Sequence, residues 1–260
     1  MATIHFSWTI SPNATMTRQS LVAIAAAREL GPCTIWVHSP DIEKVDPQLT
    51  RLAEVLPYES DPEIILPWAA TPKWRVTPRA DVVMGTNADV FAWSPQKVRR
   101  MAAQCLSEQS LFGVIAYWEP FDTPEWASLF HEYGLPADFS YRYQNLDKPS
   151  PFYINNGAVM MPSAMLPAFR ESFYHHLPLI NRKYRENYFM VQVATTIAIY
   201  KAGLRRHGVH KLFNYMVDEC FNQSLLDEVA FLHLKEYDKA ARNRRLAPIV
   251  SRCDNLLRSL

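Results

Sequence analysis

Apolar residues recur along this chain with two alternating periods. Residues 3–10 (TIHFSWTI) are β-branched and aromatic and stop at Ser11-Pro12-Asn13, which predicts a strand. From Thr15 to Leu30 the apolar positions fall at helical spacing and close on Gly31-Pro32. Cys33–Val37 (CTIWV) is again a short apolar strand, followed by a loop at His38–Asp41. Strand, helix and strand in this order predict a parallel pair joined by a right-handed crossover. Further on, the pattern predicts a helix over 47–56, a strand over 80–84, a helix over 95–107 and a strand over 111–116. Residues 57–79 are rich in proline and give no assignment. The stretch 117–151 is semi-irregular, with a short helix around 123–133. Phe152–Pro162 (FYINNGAVMMP) reads as strand around an Asn-Asn-Gly turn, and helices over 163–177 and 185–202 and a strand over 229–234 complete the series.

Such alternation predicts an α/β fold, with a mostly parallel central sheet flanked by helices. In sheets of this kind ligands bind outside the carboxyl ends of the strands. That places the expected chemistry near Ser11, Ser39, Asn87–Asp89 and Asn155–Gly157. At 260 residues the chain reads as a single domain, 1–260, with an irregular insertion at about 117–151.

Charge narrows the partners. With 27 basic and 26 acidic residues the net charge is +1, which offers no field for nucleic acid or an anionic membrane surface. Four cysteines stand far apart without a CxxC pair, which excludes a cysteine zinc site and argues against a disulfide scaffold. No basic and apolar leader and no membrane-spanning apolar run is visible, so the expected location is cytoplasmic. The motifs of serine hydrolases, P-loop proteins, zincins and dinucleotide-binding folds are missing. His175-His176 reads as surface or packing. The basic tail from Lys235 onward reads as the solvated face of a closing helix or as an anion-binding surface.

The most informative segment is Arg79–Val90. A buried strand delivers Asn87 and Asp89 to its end, and on an extended chain residues i and i+2 share a face. Two such oxygens suit one hard divalent cation; the same pattern is also an ordinary polar turn. The segment resembles the Asp-x-Asp region of GT-A fold glycosyltransferases, in particular the group of glycogenin and the bacterial lipopolysaccharide galactosyltransferases. Asp81, six residues before Asn87, matches their upstream Asp. Asn87 stands where the first metal-binding Asp is expected, so the motif Asn87-Ala88-Asp89 is degenerate.

Three more segments follow in the family's order. Phe152–Met160 resembles the stretch lining the sugar and acceptor site, which implies that Asn155, Asn156 and Gly157 face the sugar and the acceptor; by itself Asn-Gly is also a hairpin turn. Met190–Ala194 resembles the start of a helix carrying Asp-Gln; Gln192 matches and Val191 replaces the Asp. Val229–Lys235 resembles the late strand with the third metal ligand, here His233, and Lys239 lies six residues beyond, where a lysine meets the diphosphate. Alone, Gln192 is simply a helix residue and His233 a core histidine. Lys73 and Arg75, 14 and 12 residues before Asn87, occupy the distance of a basic donor contact.

The resemblance implies a GT-A-like protein of the hexosyltransferase class. It would transfer a sugar from a nucleotide diphosphate sugar to an unknown acceptor, with Mn²⁺ or Mg²⁺ on Asn87, Asp89 and His233. Gln192 and Asn155 would serve the sugar at the reacting centre, and Lys73, Arg75, Asn156, Gly157 and Lys239 the donor. The loss of carboxylates at positions 87 and 191 supports the alternative of a nucleotide-sugar-binding protein that no longer turns over.

Overall fold

The structure is a computed structural model that describes residues 2–59, 72–184, 189–217, 221–235 and 237–260. Most of the proline-rich stretch, the first residues of the helix expected from 185, and Cys220 lie outside the described residues. Strand β1 (Ile4–Thr9) is buried at all six positions, as a central strand should be. Helix α1 (Ala14–Arg28), capped by the Asn13 side chain on the Met16 amide, returns the chain to β2 (Cys33–Ser39), parallel to β1.

The helix expected over 47–56 is shorter. Helix α2 (Pro47–Leu52) buries only Leu49, and at Ala53 the backbone becomes extended. Residues Glu54–Pro57 form β3, parallel to the open edge of β2. Here sheet pairing overrides helical continuation, because one buried leucine is a weak anchor for a third turn.

The main sheet is completed by β4 (Val82–Thr86), β6 (Leu111–Ile115), β9 (Ile154–Pro162) and β10 (Arg206–Val209), in the order β10-β6-β9-β4-β1-β2-β3. All neighbours are parallel except β9, which runs antiparallel to both β4 and β6. The Asn-Asn-Gly turn expected within 152–162 does not form. Asn155, Asn156 and Gly157 lie inside β9, where its pairing with β6 shifts register between Ile154 and Val159, and the Asn87 amide just beyond β4 donates to Gly157 O. A smaller sheet joins β5 (Val90–Ala92), β11 (Asn214–Met216) and β12 (Phe231–His233) in the order β11-β12-β5. Residues 117–151 contain helix α4 (Thr123–Glu132) and a two-residue pairing of β7 (Tyr141–Arg142) with β8 (Pro149–Ser150).

Side chains alternate across the sheet into two cores. Val82, Met84, Ala158 and Met160 pack on the side of α1, α3 (Pro95–Glu108) and the C-terminal helix α8 (Ala247–Arg258), which follows α7 (Tyr237–Ala241). Val83, Val159 and Met161 pack on the other side, with α4, α5 (Leu166–Lys183) and α6 (Met190–Lys201). Trp74 belongs to this second core. Its indole lies on Gly85, where a Cβ would meet the ring at 2.3 Å, and edge-on to Phe169 at 5.1 Å between centroids. That contact fixes the turn Pro72–Trp74 under β4 and carries Lys73 into the interior.

Candidate active site

Four strand ends meet at one edge of the sheet. β1, β4 and β6 arrive by their carboxyl ends, and antiparallel β9 arrives by its amino end with Asn155–Gly157. The edge encloses a cavity of about 820 Å³, within the range of small-molecule sites. Thr9, Asn87, Asp89, Asn156, Gln192 and His233 are among its lining residues.

After β4 the chain does not remain extended. The amide of Asn87 donates to Gly157 O and the amide of Val90 to Asn87 O, so residues 87–90 form a turn. Asn87 and Asp89 reach the cavity from this turn and do not share a strand face, because β4 ends at Thr86. The Leu234 amide donates to Asp89 O at 2.9 Å and ties the turn to the end of β12. There Asp89 Oδ2 meets His233 Nε2 at 3.2 Å. Burial pushes the Asp89 carboxyl up, but the charge and hydrogen bond of His233, with help from Lys235, outweigh it and hold the carboxyl below its ordinary value.

Beneath the cavity floor lies Lys73, 1% exposed. Its Nζ donates to Asn156 O at 2.6 Å and stands 3.5 Å from Asn87 Oδ1. Burial drops this amine to about 7, against the opposing pull of Asp89.

On β9, Asn155 Oδ1 accepts from Gly157 N at 2.7 Å and from Asn214 Nδ2 at 3.1 Å. Gly157 is extended, and its glycine is required by space. A Cβ would lie 2.8 Å from Asn155 Oδ1 and 3.0 Å from both Asn214 Nδ2 and His233 Cε1. Asn156 Nδ2 donates to Thr195 Oγ1 at 2.9 Å, linking β9 to α6, whose first turn presents Gln192 to the cavity.

Of the residues singled out in the sequence, Asn87, Asp89, Asn155, Asn156, Gly157, Gln192 and His233 come together around this cavity. Lys73 is close but behind its wall. Arg75 is not part of it: with Arg170 and Tyr174 it lines a separate open hollow, its guanidinium 5.0 Å over the Tyr174 ring. Lys239, on α7, is exposed and outside the lining; Ser11 and the buried Ser39 also lie outside it. The lysine that does line the cavity is Lys235, directly after β12, where Gln19 of α1 donates to its carbonyl at 3.0 Å. Thr9, Gln19 and the half-exposed Trp118 had no sequence signal, since each needs the fold to bring it there, and Lys235 stood only at the end of the late-strand segment and the start of the basic tail.

A resident divalent ion fits this donor set poorly. Asp89 and His233 are spaced as two adjacent ligands of one ion. The third oxygen, Asn87 Oδ1, faces a buried amine, and a divalent charge on the same oxygen would oppose the charged form of that amine. No group of three His, Cys, Asp or Glu suited to a metal occurs among the described residues. Among the described residues no helix is long and apolar enough to cross a membrane.

No protein-family model matches the chain, and no curated protein matches it either. Solved structures do. Galactosyltransferase LgtC in complex with donor and acceptor sugar analogues aligns over 99% of this chain and 96% of that one, with TM-score 0.60 and 13% identity. An active-site mutant of LgtC aligns over the same shares with the same TM-score and identity. Mouse xyloside xylosyltransferase 1 in its apo form aligns over 90% of this chain and 97% of that one, at TM-score 0.47 and 13% identity. The mixed α/β domain with its mostly parallel sheet thus has the GT-A fold of glycosyltransferases.

Proposed function

We propose that this protein binds a nucleotide diphosphate sugar in the cavity and transfers the sugar to an acceptor hydroxyl. The observation that carries the reading is a set of buried polar atoms on lining residues that have no hydrogen-bond partner among the described residues. They are Thr9 Oγ1, Thr86 Oγ1, Asp89 Oδ1, Asn156 Oδ1, Gln192 Oε1 and His233 Nδ1. Buried polar atoms without partners are costly. Most of these are oxygen acceptors, which suits a ligand rich in hydroxyl donors.

In the reaction the bond between the anomeric carbon and the diphosphate oxygen breaks, and the acceptor oxygen bonds to that carbon as it loses its proton. Charge develops on the departing diphosphate, so groups aimed at it lower the barrier. Lys235 supplies positive charge at the cavity wall. Gln192 and Asn156 offer oxygens to the sugar hydroxyls, while Asn155, held by Asn214 and Gly157, shapes the wall beside them.

A second reading is a nucleotide-sugar-binding protein without turnover, favoured by neutral residues at Asn87 and Val191. A panel of nucleotide sugars separates the two. Thermal stabilisation by one of them, with release of its nucleoside diphosphate to water or a sugar acceptor, is the expected result. Stabilisation without release selects the binding protein, and stabilisation by none sinks both.

A further inference from the structure

We propose that Asn87 is a hydrogen-bond donor to the diphosphate of the ligand, its amide oriented by Lys73 behind it, so that position 87 serves an anion in place of a divalent cation. The inference rests on the nucleotide-sugar reading of the cavity.

Lys73 Nζ is the donor toward Asn87 as it is toward Asn156 O, so the end of Asn87 that faces it is the oxygen. The 3.5 Å separation is long for a hydrogen bond, but the charge still sets the preferred orientation of the amide dipole. A planar carboxamide with Oδ1 turned to the buried amine carries Nδ2 on the other side of Cγ. Asn87 lines the cavity and Lys73 does not. Nδ2 has no hydrogen-bond partner among the described residues. Position 87 therefore presents two N–H donors where a metal-binding carboxylate would present acceptors.

The surrounding charges agree with an anionic ligand. Asp89 is the carboxylate nearest the turn, and its Oδ2 is engaged by His233. Lys235 lines the same cavity, and Lys73 lies beneath it. A diphosphate at the turn meets the two N–H donors of Asn87, whose oxygen faces Lys73 behind it. An aspartate at position 87 would reverse this, pairing with Lys73 and setting its second oxygen against the phosphate.

The test is isothermal titration of the full chain with uridine and guanosine diphosphates and with inorganic pyrophosphate, in EDTA and in Mn²⁺. Binding of at least one nucleoside diphosphate in EDTA is expected. Asn87→Asp should weaken it by about tenfold or more, since a donor is lost and a like charge gained, and Mn²⁺ should not restore it. Asn87→Ala should weaken it less. The side-chain NH₂ resonances of Asn87 should also shift on pyrophosphate addition. Binding that requires Mn²⁺, or an Asn87→Asp protein that binds more tightly in Mn²⁺, overturns the inference and leaves the nucleotide reading standing. Failure of both nucleoside diphosphates under either condition removes that reading and the inference with it.

Discussion

At the scale of single residues, the cavity is built from side chains that hold each other and leave one polar face uncommitted. Asn156 spends its Nδ2 on Thr195, and its Oδ1 stays without a partner among the described residues. Gln192 Oε1 is likewise buried without a partner among the described residues. Gln192→Ala should therefore weaken binding of a nucleotide sugar by about 1 kcal/mol, near fivefold, and leave the matching nucleoside diphosphate almost unaffected. Parallel titrations with the two ligands measure the difference. Equal losses for both would move Gln192 away from the sugar.

Elements reach the site through a few tight contacts. Trp74 on Gly85 is the clearest, because the indole takes the volume of a side chain that Gly85 does not have. Gly85→Ala should displace the ring and with it the turn that carries Lys73, costing about 1–3 kcal/mol as an overpacking change. Trp74→Ala should cost about 3–5 kcal/mol through the cavity it leaves. In the Trp74→Ala background the three atoms nearest the added Cβ are gone, so Gly85→Ala should cost much less there. Urea denaturation of the two single variants and the double variant checks this coupling. Strictly additive losses would mean that the strand is disturbed in some other way. Strand β9 works by a similar principle: Gly157 permits the approach of Asn155, Asn214 and His233, and no turn is involved.

For the whole molecule, the central strands bury two histidines beside the β1–β2 pair. His5 pairs with Thr34 Oγ1 at 2.6 Å, and His38 Nε2 with Ser7 Oγ at 3.1 Å. Burial lowers each imidazole to about 4, with the charges of His5 and Arg75 adding to the effect on His38. The unfolded chain takes up protons below about pH 6.5 that the folded chain refuses until about pH 4. Stability is thus full above about 6.5 and falls as the pH drops toward 4, by up to about 3 kcal/mol for each group. The urea midpoint should decline across this window, and His38→Gln should flatten the decline. An identical slope in the variant would show that His38 does not contribute to it.

The fold class was legible in the sequence because alternating periods of two and 3.6 are local properties. β1, α1, β2, β4, α3 and β6 each carry enough apolar residues in register to declare themselves. The candidate site was legible in its residue types: Asn87, Asp89, Asn155, Gln192 and His233 stand in an order that the GT-A resemblance picked out, and the fold gathers them at one edge. What only the tertiary structure decided depends on partners distant in sequence. β3, β5, β10 and β11 are three or four residues long, too short to show a period, and exist because an open strand edge offers hydrogen bonds. Asn155–Gly157 is strand and not turn because β9 is paired before and after it, with β6 at Ile154 and with β4 and β6 from Ala158 onward. The wall lysine is Lys235 and not Lys239, since β12 ends at His233 and α1 pins the next residues. Above all, the sequence marks Asn87 as a departure, and only the fold brings Lys73 beneath it. The meaning of an amide at that position depends on which charge faces its oxygen.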